Sequence, residues 1–281
     1  MIASSRWQTW ARRTVRRLGA IGAEVCFPGI CCGCGRLFRL PRRTEQAVTF
    51  EQWMHRFLCE VCVQAFQAVR SPLCPQCGQP FASPHGPDHL CGQCQERPFR
   101  FSAARAAGLY EGGLRTAIQQ LKYQGRDALA QPLGRFLWQT LGRHWEPAQF
   151  DRVIPVPLHP RRLRQRGFNQ AAVLVREWPL LAKRQGHQVP PDWIDRRTLR
   201  RERPTQPQTG LKREERVTNL RRAFQVNPHS PGPGVKNLRV LLVDDVMTTG
   251  TTVDACAQTL MAAGAAEVRV LTLARAVVTQ G

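Results

Sequence analysis

One stretch constrains the fold of this chain more than any other: Val240-Leu-Leu-Val-Asp-Asp-Val-Met-Thr-Thr-Gly-Thr-Thr-Val253. The four apolar residues from Val240 to Val243 read as a buried parallel strand. Asp244 and Asp245 follow where that strand is expected to end. Thr248, Thr249, Gly250, Thr251 and Thr252 then form a loop, and a helix is expected from about Val253. An anion seated there would meet backbone N–H groups, hydroxyl donors and the positive end of a helix dipole. The carboxylates just upstream suit a diol, because a carboxylate accepts from two hydroxyls at once. Phosphate beside a cis-diol is what a ribose 5-phosphate presents. An ordinary strand–turn–helix would use the same residues merely to cap its helix. The stretch is not a Walker A loop, since no Gly-Lys-Ser/Thr ending is present.

Ten of the eleven cysteines lie before residue 95, and eight of them form four Cys-x-x-Cys pairs. The pairs are Cys31/Cys34, Cys59/Cys62, Cys74/Cys77 and Cys91/Cys94. Two share a local frame, Cys31-Cys-Gly-Cys34-Gly-Arg-Leu-Phe38 and Cys74-Pro-Gln-Cys77-Gly-Gln-Pro-Phe81. The glycine lets such a turn point its N–H groups at the thiolates, and two pairs complete a tetrahedral S₄ site for zinc. Two ribbons in tandem are expected, one closed by the first two pairs and one by the last two. The intervals of 24 residues after Cys34 and 13 after Cys77 suit the finger loops. A disulfide framework is the alternative, opposed by zinc-ligand spacing in a chain read as cytoplasmic. Iron–sulfur clusters compete less well, because their runs place three cysteines close together. Cys26 and Cys32 are left over, and Cys256 reads as a small core residue.

The chain of 281 residues has room for two domains. It lacks a run of eighteen apolar residues, so no integral membrane segment is expected. Near the N-terminus, Trp7, Trp10, Thr14, Leu18 and Ile21 share a helical face beside Arg6, Arg12, Arg13, Arg16 and Arg17. A basic amphipathic helix packed on protein explains this, as would a transit peptide or membrane-surface helix. A secretory signal would need a longer apolar run than Leu18 to Cys26, which Glu24 interrupts. Net charge is +21, of which Arg152 to Arg222 carries eighteen basic and six acidic residues. Such a field favours polyanions: nucleic acid, an anionic surface or a pyrophosphate-bearing ligand.

Along the second half, Phe101 to Tyr110 reads as a strand broken by Gly108. Leu114 to Tyr123 and Leu129 to Trp145 have helical periodicity, with Pro132 tolerable only in a first turn. Asp151 to Leu158 is a strand ending in prolines. Its exit loop is expected beside the Thr/Gly loop, because ligands bind at the carboxyl ends of parallel strands. His159-Pro-Arg-Arg-Leu-Arg-Gln-Arg-Gly-Phe-Asn-Gln170 follows, and Arg161, Arg162, Arg164 and Arg166 invite a diphosphate or a nucleic-acid backbone. A solvated basic turn is the plain alternative. Gln170 to Arg184 is helical, with a kink expected at Pro179. Arg196 to Arg203 is mostly arginine, including Arg200 and Arg201, with Leu199 as its core residue. With Thr205 to Phe224 it fits either a lid closing on substrate or a solvated excursion. Glu267 to Ala276 supplies the last strand. Trp138, Trp145, Trp178 and Trp193 are either core residues or stacking surfaces for bases.

These pieces together resemble the ComF competence family, a double zinc ribbon joined to a type I phosphoribosyltransferase-like domain. The resemblance spans most of residues 26–276. It rests on the four Cys pairs, Leu121-Lys-Tyr123, Val153-Ile-Pro-Val-Pro157, Arg166-Gly-Phe-Asn-Gln170, the Thr205 to Phe224 spacing and the loop from Asp244 to Thr252. It implies an α/β fold with a Rossmann-like parallel sheet, divided as 1–25 basic helix, 26–100 double zinc ribbon and 101–281 transferase-like domain. Similarity to the amidophosphoribosyltransferases implies phosphoribosyl pyrophosphate (PRPP) as ligand. Asp244 and Asp245 would take the ribose hydroxyls, and Thr248, Thr249, Gly250, Thr251 and Thr252 the 5-phosphate. Mg²⁺ would accompany the pyrophosphate, and two structural zinc ions the cysteines. If the chain transfers the phosphoribosyl group, Arg164, Arg166 and Arg203 are the candidates for stabilising the leaving group. The family's association with natural transformation implies cytoplasmic single-stranded DNA as a partner, alongside helicase-like or recombination proteins. The sequence departs at Leu158-His159, where the amidotransferases carry an acidic residue and a Ser-Gly turn for pyrophosphate. Two readings therefore stand: a transferase with an unnamed acceptor, and a DNA- or partner-binding adaptor without chemistry.

Overall fold

The structure, a computed structural model, describes residues 28–40, 49–123, 127–202, 223–228 and 234–277. The N-terminal basic helix, Cys26, Arg203 and the Thr205 to Arg222 segment lie outside the described residues.

The first Cys-rich module begins with a hairpin of β1 (Gly29–Ile30) and β2 (Leu37–Phe38), paired antiparallel around Cys31 to Cys34. Helix α1 (Phe50–Met54) starts at a capping box: Gln52 N–H donates to Thr49 Oγ1 at 3.2 Å and Thr49 N–H to Gln52 Oε1 at 3.1 Å. Helix α2 (Glu60–Gln64) takes Cys59 as its N-cap residue. The second module repeats the plan with a knuckle at Cys74 to Gly78 and helix α3 (Gly92–Glu96), capped by Cys91. In both modules the second pair therefore sits at the positive end of a helical turn, where backbone N–H groups face thiolate charge.

The second half alternates strands and helices: β3 (Ala103–Leu109), α4 (Gly112–Tyr123), α5 (Ala130–His144), β4 (Arg152–Pro155), α6 (Pro160–Arg166), α7 (Gln170–Leu174) and α8 (Trp178–Arg184). There follow β5 (Leu199–Arg201), β6 (Phe224–Val226), β7 (Arg239–Met247), α9 (Thr251–Ala262) and β8 (Glu267–Arg275). The four long strands form one parallel sheet in the order β3-β8-β7-β4, while β5 and β6 pair as a separate antiparallel ribbon.

Burial on both faces explains the continuous apolar runs of the central strands. Along β7, Leu241 and Val243 pack with α5, Trp178 and Trp193, whereas Val240, Leu242 and Met247 pack with α9 and Phe224. The Cys-rich modules divide the same way. Phe50, Met54 and Leu58 of the first module join the Leu241 face, and Cys74, Cys77, Cys94 and Phe101 join the Leu242 face. The two modules thus buttress opposite sides of one sheet.

Several local expectations change. Strand β7 runs four residues past Val243, so both aspartates lie within it, and α9 starts at Thr251. Gly108 does not break β3: it pairs with Ala274, and a Cβ there would lie 2.4 Å from the Phe66 ring. Pro179 stands in the first turn of α8, after α7 has ended, giving two helices in place of one kinked helix. All four tryptophans belong to the core rather than to a base-stacking surface. Trp178 and Trp193 are fully buried, Trp138 is buried and Trp145 half-buried against them. Three of the indole N–H groups are spent internally, Trp138 on Gln185 at 2.9 Å, Trp178 on Gly134 O at 3.0 Å and Trp193 on Phe150 O at 2.8 Å. Each such ring buries roughly 150–250 Å², about 4–6 kcal/mol of gross transfer free energy at ~25 cal/mol per Å².

Candidate functional site

The site forms where β7 leaves the sheet. Successive strand residues point to opposite faces, so Asp244 and Asp245 do not lie side by side. Asp245 is buried, 6% exposed, and pairs with Lys122 Nζ at 2.8 Å. Lys122 comes from the last turn of α4, and its side chain is only 15% exposed. Asp244 is half-buried, and its Oδ1 accepts from the Asp245 N–H at 2.9 Å. Burial, reinforced by the charge of Asp245, raises the Asp244 pKa to about 7, against the pull of that N–H, Lys122 and Arg201.

The Asp244 pKa is raised on folding, so the native chain holds a proton that the unfolded chain has released. Stability therefore falls as pH climbs from the ordinary carboxylate range through about 7. Asp244→Asn is expected to flatten that slope and to stabilise the fold at pH 8 by roughly 2–4 kcal/mol. Urea melts of both chains at pH 5 and pH 8 decide it; an unchanged slope counts against the assignment.

Thr248 and Thr249 are exposed, and Gly250 N-caps α9 with φ +79°. That left-handed conformation favours glycine, and a Cβ would also stand 2.8 Å from Met247 Cε and 3.0 Å from the Phe99 ring. The hydroxyls of Thr249 and Thr251 are 2.7 Å apart. The first N–H groups of the 12-residue α9 have no intrahelical partner, so hydroxyls and amides converge where an anion can be held.

Strand β4 exits toward α6, whose N-cap is His159: its Nδ1 accepts from the Arg161 N–H at 3.2 Å. Arg161, Arg162 and Arg164 are exposed on α6. Arg166 is half-buried, its guanidinium 4.8 Å from the Tyr123 ring centroid and donating to Tyr123 OH at 3.1 Å. Lys122, Tyr123, Arg162, Gln165, Arg166 and Phe168 line a cavity of ≈ 560 Å³. Lys122 therefore joins this cavity to Asp245. Arg200 is exposed, but Arg201 is half-buried over the Phe224 ring at 5.2 Å and feels Asp244, so it is not a surface residue.

Lys122 and Arg275 are the residues that sequence reading did not single out. Lys122 stood inside the quoted Leu121-Lys-Tyr123 without a role. Arg275 offered one signal, a charge ending an otherwise apolar strand.

The cysteines assemble as two sets: Cys31, Cys34, Cys59 and Cys62, and Cys74, Cys77, Cys91 and Cys94, with the sulfurs of each set within 4.8 Å of one another. The Cys34–Cys59 and Cys77–Cys91 sulfur separations are 3.6 Å, close to the ~3.8 Å edge of a tetrahedron with Zn–S bonds of about 2.3 Å. Burial opposes charge on Cys31, yet N–H groups of Cys59, Cys34 and Gly33 bring its pKa down to about 6. Burial likewise opposes charge on Cys74, and N–H groups of Cys77, Cys91 and Gln76 bring it to about 7. Burial and neighbouring thiolates push Cys62 and Cys94 up. Four thiolates this close repel, and a divalent cation among them resolves the conflict. The donor set fits structural zinc. Cys32 is buried but belongs to neither set, and Cys256 is fully buried in the core.

A parallel sheet ending in an acidic pair, a Thr/Gly loop at a helix N-terminus and two Cys₄ modules define a phosphoribosyltransferase-like protein with metal-ribbon modules. The phosphoribosyl transferase domain family matches residues 194–280. The chain is 36% identical over 251 residues to the DNA utilization protein YhgH of Salmonella typhimurium, covering 88% of this chain and 97% of that one. It is 29% identical over 226 residues to competence protein F of Haemophilus influenzae, 78% and 90% of the two chains. With competence protein ComFC of Streptococcus pneumoniae it shares 27% identity over 224 residues, 78% and 87%. The chain belongs to the ComF family of competence and DNA-utilization proteins. Among the described residues no helix is long and apolar enough to cross a membrane.

Proposed function

We propose that the chain binds PRPP at Asp244, Asp245 and the loop Thr248–Thr252, holds one zinc ion in each Cys₄ set, and acts in the cytoplasm on single-stranded DNA. The observation that carries this reading is the placement of the acidic pair and the Thr/Gly loop at the carboxyl end of one parallel strand, beside a cationic cavity. Asp244 and Asp245 accept from the ribose hydroxyls, Lys122 neutralises Asp245, and the loop N–H groups and hydroxyls hold the 5-phosphate. Mg²⁺, when bound with PRPP, supplies charge neutralisation on the pyrophosphate and keeps much of its own water.

The relatives named for competence and DNA utilization support the nucleic-acid part. A strand lying along α6 would place phosphates at Arg161, Arg162 and Arg164. A base would stack on Tyr123, a residue 68% exposed, with Phe168 and Arg166 beside it.

A second reading, binding without turnover, is favoured by His159. It stands where the amidotransferases carry a pyrophosphate turn, yet it is 8% exposed and committed to capping α6. Pyrophosphate release from PRPP on adding an acceptor separates the two readings.

Titration calorimetry with PRPP and Mg²⁺, followed in the same cell by a single-stranded oligonucleotide, tests the proposal. The double variant Asp245→Ala/Thr249→Ala is expected to weaken PRPP at least about tenfold, ~1.4 kcal/mol. Unchanged binding would sink the site assignment. DNA affinity should fall with salt, and Arg161→Ala with Arg162→Ala should reduce that slope by about 0.7 per lost phosphate contact.

A further inference from the structure

The last residue of β8 is out of place chemically. Arg275 is 3% exposed at the end of an apolar strand. On one side its Nη1 donates to Met247 O at 3.1 Å, to Thr248 O at closer range and to Ala276 O at 3.4 Å. On the other side the guanidinium lies within electrostatic reach of Cys77, Cys91 and Cys94, all in the second Cys₄ set. Its Nε is buried and has no hydrogen-bond partner in the described structure.

A second tether runs parallel to the first. Gln76, inside the second knuckle, donates through Nε2 to Phe99 O at 3.1 Å and Phe101 O at 3.3 Å. Phe99 packs against Gly250, and the Arg100 N–H donates to Asp254 Oδ1 at 2.7 Å. Both tethers run from the second set to residues 247–254. The first set packs with the opposite face of the sheet.

Two physical consequences follow. In a trans peptide the C=O and the next N–H point in opposite directions. Pinning the carbonyls of Met247 and Thr248 on Arg275 therefore turns the N–H groups of Thr248 and Thr249 away from it, on a loop whose two threonines are exposed. A buried guanidinium, in turn, needs compensating negative charge. Four thiolates around a divalent cation carry a net charge of −2, and they lie beside it. Without the metal the thiolate cage cannot stay closed, and Arg275 loses the counter-charge that keeps it under the loop.

We propose that Arg275 is a positioning residue coupling the second Cys₄ centre to the ribose-phosphate loop, so that metal at that centre and anion at the loop favour one another. The first centre stays outside this coupling. The inference rests on the reading above that the loop takes a phosphate and the cysteines a metal. Linkage requires reciprocity: if metal orders the loop for anion, anion must tighten the metal by the same factor.

The test uses the full chain loaded with zinc. Hydrogen exchange is followed across residues 247–253 in wild type, Cys94→Ser, Cys34→Ser, Arg275→Met and Arg275→Lys. Zinc loss to a coloured chelator is timed with and without ribose 5-phosphate. Exchange in 247–253 is expected to accelerate at least about fivefold in Cys94→Ser and Arg275→Met, to accelerate clearly less in Cys34→Ser, and to recover partly in Arg275→Lys. In wild type, ribose 5-phosphate should slow the loss of one of two zinc equivalents, and this effect should vanish in Arg275→Met. Equal exchange in the two cysteine variants, or wild-type exchange in Arg275→Met, overturns the coupling. The zinc-release comparison on wild type needs no variant, so a misfolded mutant does not leave the matter open. Should ribose 5-phosphate and PRPP both fail to bind wild type, the phosphate reading fails, while the exchange comparison still decides whether Arg275 couples centre and loop.

Discussion

Cys59→Ser is expected to lower the zinc content from two equivalents to one and to unfold the first module. Cys59 is buried, its sulfur lies 3.6 Å from that of Cys34, and its N–H donates to Cys31 Sγ at 3.3 Å. The module has only a few large apolar residues of its own, chiefly Phe50, Met54, Leu58 and Val63, and segments this small generally need a metal or disulfides to hold together. Structural zinc contributes roughly 10–16 kcal/mol to zinc-finger peptides, so a loss of at least about 5 kcal/mol is expected here. At about 2–4 °C per kcal/mol for a chain of this size, melting should drop by about 10–20 °C. The damage should extend to α4 and α5, because Gln120 donates to Cys32 O at 3.0 Å and Phe50 packs edge-on to Phe136 at 5.4 Å. Elemental analysis with a thermal melt checks it. Two zinc equivalents and an unshifted melt would refute the Cys₄ assignment.

Lys122→Met is expected to cost about 3–5 kcal/mol at pH 8, the usual penalty for leaving one member of a buried ion pair alone. Lys122 is the cation against Asp245, and both side chains are mostly buried. It also holds down the Asp244 pKa, which burial and Asp245 together raise to about 7. Without Lys122 the Asp244 pKa rises further, so at pH 8 ionising both adjacent carboxylates is costlier than in wild type; at pH 5.5 Asp244 is protonated in both chains and only Asp245 is left uncompensated. The penalty should therefore shrink on acidification. Adding Asp245→Asn should recover most of it, since removing both partners of a buried pair costs far less than removing one. Urea unfolding of the three chains at both pH values reads this out. A pH-independent loss, or an Asp245→Asn change that adds to it, would show that the pair is not what holds this corner.

Local signals were legible. The apolar run at Val240, the threonine loop with Gly250 and the periodicity of α4 and α5 are contained within a dozen residues each, and the structure reproduces them with small shifts of boundary. Pairing of the cysteines as first with second and third with fourth was also readable, since close Cys-x-x-Cys spacing and short loops leave little choice of partner. The errors were local conflicts resolved by neighbours. Gly108 looked like a break because glycine weakens strands, but the Phe66 ring occupies the space a side chain would need. Asp244 and Asp245 looked like the end of a strand because charge is rare inside sheets. Lys122, arriving from α4, makes that charge tolerable.

The alphabet of the site, then, is written in the chain itself: which residue types can hold an anion, which cysteines have metal-ligand spacing, and which lie on one helix or strand. Periodicity and spacing reach only a few residues along the backbone, and those choices act at that range. The placement of the two Cys₄ modules on opposite faces, the ion pair between Lys122 and Asp245, and the position of Arg275 between thiolates and loop carbonyls join residues far beyond the reach of one element. Nothing in a local pattern encodes such contacts. They come into being when the sheet orders its strands β3-β8-β7-β4 and the closing of its two faces decides what each buried charge must touch.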